Sequence, residues 1–418
     1  MDNSTKNKVG GEMTTIGAFK IVVDDEKQLL NILQEASRSI SQRQQFLNFT
    51  SKNHLEIDNV EFSRTSENEA EFRIKISDDL LIEKNGSIVW LFGLLFGNTF
   101  RHDSIIEFRL IKIDFSPSMY YKYRGPVFGL TKIKEDFNME FPIISCPLPP
   151  LSPEPWKDLI EILISSNIRF IVEGPIGYLP NKVQLEQRIK FLDEIAKQQD
   201  FTVVYFINVT VQYEEIMKWI KNIISISQTN NVKIGLRVCP LSTGLGILPS
   251  LRNLGYPLMA YTLLDRIYCE NKNFGMSGSC LSSTLRILGA DVVNAGLLVS
   301  RDIKNFHVYE VIQELKRNIN LKKMLIKKSV PLLTGGLKPR DISTLGKIFG
   351  NEIVYHAGSG ILKGYPNLIT VEQNCKAYNE ATIIAKENLE HNDVLENNEK
   401  RFRNYITYTR RGKKREVK

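Results

Sequence analysis

Two short runs of small residues carry the clearest chemical signal in the chain. They are Thr334, Gly335 and Gly336, and then Gly358, Ser359 and Gly360. Each follows an apolar segment with strand character, Val330 to Leu333 and Ile353 to Tyr355. Glycine has no Cβ, so such a turn can take positive φ and bring its N–H groups close to a ligand. Two turns side by side would make a nest of amide donors suited to phosphate oxygens. Residues Pro339 to Phe349 between them have helical character, which gives the strand, helix, strand order that a parallel sheet needs. In a (β/α)8 barrel the recurrent phosphate site lies in the loops after the last two strands. These six residues fall there if the two strands are the seventh and eighth. Glycines after strands also serve simply to turn the chain, so phosphate binding is an expectation to be set against that plainer role.

The elements needed to position such turns are present. From Phe141 onward, strand segments alternate with amphipathic helices. The strands are Pro142 to Cys146, Arg169 to Glu173, Thr202 to Asn208, Val232 to Val238, Pro257 to Tyr261 and Val292 to Gly296, then the two already described. The helices include Pro155 to Ile164, Gln184 to Gln198, Tyr213 to Ile223 and Ser279 to Leu288. This alternation predicts a closed (β/α)8 TIM barrel over 141–390, ending in a helix from Asn367 to Glu390. Ahead of it, strands at Thr14 to Val23, Phe46 to Thr50, Glu71 to Ile76 and Ile105 to Phe115, with helices at Asp25 to Ser39 and from Ser87 to about Gly97, predict an α+β N-terminal domain. That domain occupies 14–140, including a connector. A polar leader, 1–13, and a polar, basic tail, 391–418, flank the two.

The totals bound the function. The chain has 418 residues, 42% apolar and 24% charged, enough for a sizeable core. Its net charge of +8 is spread along the sequence apart from the tail, so nucleic-acid binding is not expected. Five cysteines without CxxC spacing argue against a disulfide framework or zinc ribbon and for a reducing, cytoplasmic setting. The polar start is not a signal peptide, and the longest apolar run, Ile88 to Phe96, is too short to span a bilayer.

Several stretches then resemble a known family. Tyr123-Arg124-Gly125-Pro126-Val127-Phe128-Gly129, Leu151-Ser152-Pro153-Glu154, Leu288-Gly289-Ala290-Asp291, Thr334-Gly335-Gly336 with Lys338-Pro339, and Ala357-Gly358-Ser359-Gly360 with Gly364-Tyr365-Pro366 look like the RuBisCO large-subunit superfamily. The resemblance covers most of 85–385 and implies a ferredoxin-like N-terminal domain before the barrel. It also implies a homodimer, because Asn98 matches an asparagine that reaches the neighbouring subunit's site. Asn98 beside Gly97 could equally cap a helix.

The same resemblance implies that the family's metal site is lost, as in a divergent, form IV RuBisCO-like protein. Members hold Mg²⁺ with a lysine carbamate and two carboxylates at the end of the second barrel strand. Val172 stands here for the lysine, and Gly174 and Pro175 for the carboxylates. Two expected lysines fall at Cys146 and Leu148, a histidine and arginine pair at Tyr261 and Thr262, and a further histidine at Asn294. No metal and no cofactor are therefore expected. Arg301 occupies the place of a mobile lysine and keeps its charge without being able to donate a proton. Candidate acids, bases and electrophiles are Glu173, Tyr261, Asp265, Arg301 and His356, with Asn98 and Asn294 lining the pocket. His356 suits proton transfer or a hydrogen-bonded core position. Two readings stand: an isomerase or lyase acting on a phosphorylated sugar or keto compound by metal-independent enolisation, and a non-catalytic ligand sensor or partner subunit. Ribulose-bisphosphate carboxylation by the family's mechanism is not expected.

Overall fold

The computed structural model describes residues 14–35, 60–78, 91–92, 95, 103–174, 178, 180–226, 231–261, 268–269, 271, 273–297, 306–322 and 324–390. Its contacts divide the chain into two compact units, 1–124 with 272–280, and 125–271 with 281–418.

The first unit is built on β1 (Thr14–Val23), β2 (Val60–Arg64), β3 (Glu69–Ser77) and β4 (Ile105–Asp114), an antiparallel sheet in the order β4-β1-β3-β2. The two-residue period of β3 sorts its side chains: Ala70, Phe72, Ile74 and Ile76 are buried, while Arg73 between them is exposed. Phe19 of β1 stacks on Phe108 of β4 at 4.6 Å. Residues 26–35 are helical, with Leu29, Ile32 and Leu33 buried and Leu30 exposed. The strand expected at Phe46 to Thr50 lies outside the described residues, and of the helix expected from Ser87 only 91, 92 and 95 are described, all helical.

All eight expected barrel strands form. They are β5 (Ile143–Leu148), β6 (Phe170–Glu173), β7 (Val203–Asn208), β8 (Val232–Val238), β9 (Leu258–Ala260), β11 (Val292–Leu297), β14 (Val330–Thr334) and β15 (Val354–His356). They close in the order β11-β14-β15-β5-β6-β7-β8-β9. Each is nearly continuous in apolar residues because both faces are covered. Between β9 and β11, β10 (Phe274–Met276) pairs in parallel with β4 and so belongs to the first unit. Three residues are too few to show a period, which is why this excursion is not legible in the sequence. A small hairpin of β12 (Ile319–Leu321) and β13 (Met324–Ile326) precedes β14.

The barrel interior holds Ile143, Phe170, Val172, Val204, Phe206, Met259, Val292, Val330, Leu332 and Val354 in one cluster. Leu130, Ile133, Phe137 and Met139 join it from the helix Gly129–Glu135 and the turn after it. Residues 125–140 therefore pack as part of the barrel, where the sequence reads as a connector. Asp291 secures that segment. Its Oδ1 accepts the N–H groups of Phe128 (2.7 Å) and Gly129 (2.8 Å), and its Oδ2 accepts that of Leu258 (2.8 Å). Two of the stretches that carry the family resemblance thus meet in one structural clamp. Among the described residues no helix is long and apolar enough to cross a membrane.

Candidate active site

β14 and β15 pair in parallel, Leu332 with Val354 and Leu333 with Tyr355, so the turns that follow them are neighbours. Gly335 and Gly336 have φ of +87° and +64°, a conformation that L side chains rarely adopt. Gly358 opens a single helical turn, Gly358–Ile361, and a Cβ there would collide with the ring of Pro147 in β5. At Gly360 a Cβ would strike the hydroxyl of Tyr378, which donates to the Leu337 carbonyl at 2.5 Å. Close packing thus explains Gly358 and Gly360, and backbone conformation explains Gly335 and Gly336. Among the described residues the N–H groups of Gly335, Gly336, Gly358 and Ser359 have no backbone acceptor. Thr334 is buried, and its hydroxyl lies 3.2 Å from the Gly296 carbonyl and 3.4 Å from Asn294 Oδ1, tying β14 to β11. Asn294 Oδ1 also accepts the Gly296 N–H at 3.2 Å.

The two-residue alternation that fills the barrel with Ile143, Val172, Met259, Val292, Leu332 and Val354 carries Ser145, Gly174, Tyr261, Asn294, Thr334 and His356 to the same side at the strands' C-terminal ends. His356 Nδ1 lies 2.7 Å from Ser145 Oγ, and its ring meets that of Tyr261 edge-on at 6.0 Å. Burial and the nearby Arg237 charge hold the imidazole down to a pKa of about 3, so it is neutral at neutral pH. The Arg237 guanidinium lies 4.2 Å from the centre of the Tyr261 ring, and its Nη1 donates to the Glu173 carbonyl oxygen.

Glu173 is arranged differently. Val172 belongs to the interior cluster, so its neighbour Glu173 faces the helices. Its Oε1 accepts from Arg188 Nη1 at 2.5 Å and from the Tyr205 hydroxyl, while Oε2 has no partner among the described residues. Arg188, on the helix Lys182–Gln198, also lies 5.0 Å from the Trp156 ring and donates to the Leu151 carbonyl. Burial pushes the Glu173 carboxyl up to about 7, outweighing the opposing pull of Arg188 and Arg237. The structure therefore brings Tyr261 and His356 together and keeps the Glu173 carboxylate apart from them. Asp265, Arg301, Asn98 and Pro175 lie outside the described residues.

No family model matches the chain. Over 305 residues it is 25% identical to the ribulose bisphosphate carboxylase of Pyrococcus horikoshii, spanning 70% of this chain and 69% of that protein. Over 282 residues it is 22% identical to a 2,3-diketo-5-methylthiopentyl-1-phosphate enolase of Bacillus cytotoxicus, spanning 62% and 64%. The dimeric archaeal Rubisco of Hyperthermus butylicus shares its fold, with a TM-score of 0.73 over 93% of both chains at 18% identity. So does a rubisco-like protein of Alicyclobacillus acidocaldarius, with a TM-score of 0.71 over 91% of this chain and 95% of that one at 14% identity. In sequence and in fold the chain is similar to the RuBisCO large-subunit superfamily.

The residues that the resemblance sets at that superfamily's metal position do not fit Mg²⁺, a hard cation that takes oxygen ligands. Val172 and Gly174 carry no ligating side-chain atom, and Nη1 of Arg237 lies 3.9 Å from the point a Cβ on Gly174 would occupy. Among the described residues no group of three or more His, Cys, Asp or Glu could hold a metal ion. Cys146 and Leu148 are buried, and burial raises the Cys146 thiol well above its ordinary pKa, so it supplies no thiolate. Sequence reasoning missed Arg237, Ser145, Arg188 and Tyr205. The signal for Arg237 was an arginine near the end of the otherwise mostly apolar Val232–Val238.

Proposed function

We propose that this RuBisCO-like protein binds a phosphorylated sugar or keto compound at the barrel mouth and catalyses an enolisation or isomerisation without a metal ion and without carboxylation. The observation that carries the reading is the pairing of β14 with β15, which sets two glycine turns, with N–H groups free of backbone acceptors among the described residues, next to Tyr261 and His356. The enolase among its relatives supports the enolisation class. The missing oxygen ligands at Val172 and Gly174 argue against Mg²⁺ chemistry and hence against carboxylation by the family's route. A homodimer is part of the proposal, since one structural neighbour is described as dimeric.

A specific observation favours the non-catalytic alternative: His356 is held too low in pKa to accept a proton near neutrality, and Glu173 is engaged with Arg188. Isothermal titration with a panel of sugar phosphates, with and without Mg²⁺, tests binding. Proton exchange next to the carbonyl of a bound ketose phosphate, followed by NMR in D₂O, tests turnover. Phosphate-dependent, Mg²⁺-independent binding with exchange is the expected result. Binding without exchange leaves the sensor reading, and Mg²⁺-dependent binding overturns the metal-free proposal.

A further inference from the structure

Arg237 is only 3% exposed. Arginine is not deprotonated in proteins, so burial places a full positive charge in a poorly solvated site, which is costly unless an anion lies beside it. Among the described residues no carboxylate lies within 4.0 Å of this guanidinium. Among the described residues its one hydrogen bond runs from Nη1 to the Glu173 carbonyl, and the buried Nε has no acceptor. The carboxylate of Glu173 is held by Arg188 and Tyr205. Among the described residues two guanidiniums thus share one carboxylate, and a positive charge is left over. Tyr261 stacks on the guanidinium and orients it without neutralising it. On the β6 side, Gly174 offers no side chain to cover Nη1.

We propose that Arg237 receives an anionic oxygen of the ligand, a carboxylate or the enolate-like oxygen of a keto compound, so that a fixed guanidinium acts where a divalent cation would otherwise sit. A ligand gripped by both the rim glycines and Arg237 carries a phosphate ester at one end and such an oxygen at the other, as a phosphorylated keto acid does. This deepens the proposed function and rests on its placement of the ligand at the barrel mouth.

The test compares three probes by isothermal titration without metal: 2-phosphoglycolate, with both groups; glycerol 3-phosphate, with the ester alone; and oxalate, with carboxylates alone. Wild type should bind 2-phosphoglycolate most tightly. Arg237→Met and Arg237→Lys should weaken 2-phosphoglycolate and oxalate at least about tenfold while leaving glycerol 3-phosphate unchanged, as expected for loss of a charge-assisted bond. In wild type labelled with [15N]arginine, oxalate should shift a buried Nε–H resonance that is absent from Arg237→Lys, a readout that does not depend on the stability of the Arg237→Met variant. Oxalate binding that depends on Arg237, with no binding of glycerol 3-phosphate, would uphold Arg237 and remove the rim. Equal binding of 2-phosphoglycolate and glycerol 3-phosphate, indifferent to Arg237, would overturn the inference and keep the rim. No binding of any probe would overturn both.

Discussion

His356 Nδ1 and Ser145 Oγ lie 2.7 Å apart, joining the last barrel strand to the first at the mouth of the barrel. The imidazole at this contact is neutral, held by burial and the nearby Arg237 charge at a pKa of about 3 against an ordinary value of 6.5. Below pH 6.5 the unfolded chain binds a proton that the folded protein refuses. This residue's stabilising contribution is therefore complete above about 6.5 and is lost as pH falls toward 3. His356→Asn should lose less stability than wild type between pH 7 and 5 in urea unfolding, and the wild-type imidazole should not titrate by NMR above pH 5. An imidazole titrating near 6.5 would show that the ring is solvated.

Glu173 should give the opposite slope. Its carboxyl is raised from 4.5 to about 7, so between those values the folded protein keeps a proton that the unfolded chain has lost. The contribution is complete below about 4.5 and lost as pH rises through about 7, roughly 3 kcal/mol in all. Glu173→Gln should flatten this part of the stability profile between pH 5 and 8. Identical slopes in wild type and variant would refute the assignment.

Breaking the same pair from the other side should be severe. At a pH high enough to ionise the carboxyl, Arg188→Met leaves a Glu173 charge buried without its cation, a change that costs about 3–5 kcal/mol in comparable pairs. The double variant Arg188→Met/Glu173→Gln should recover part of the loss in thermal melts. No recovery would mean that the lost stacking of Arg188 on Trp156 dominates.

Asp291→Ala removes the acceptor of three N–H groups, those of buried Gly129 and Leu258 and of half-buried Phe128. At about 1–3 kcal/mol for each unsatisfied donor, a loss of several kcal/mol is expected. Hydrogen exchange should show these three amides deprotected ahead of the strands around them. Uniform deprotection would point to global destabilisation instead.

The glycine turns should separate by role. Gly335→Ala, at φ +87°, forces an L side chain into a left-handed conformation costing about 1–2 kcal/mol and should weaken phosphate-ester binding. Gly360→Ala should destabilise through its clash with the Tyr378 hydroxyl and be partly rescued by Tyr378→Phe, with ester binding retained in the double variant. Loss of binding in that rescued variant would give Gly360 a direct ligand role.

Periodicity in the chain was sufficient to locate all eight barrel strands, because each is a short apolar run set between amphipathic helices, and burial on both faces demands such runs. The resemblance set Val172 and Gly174 where the family's metal ligands are expected. Other relationships arise only when the barrel closes. Strand parity turns Glu173 away from the pocket that its position in the chain suggested. Closure brings Arg237 of the fourth strand beside Gly174 of the second and Tyr261 after the fifth, and His356 beside Ser145. The physical reason is one of range. A strand's own pattern records which face of it is apolar, whereas the partner of a buried charge is set by residues tens to hundreds of positions away that meet only in the folded chain.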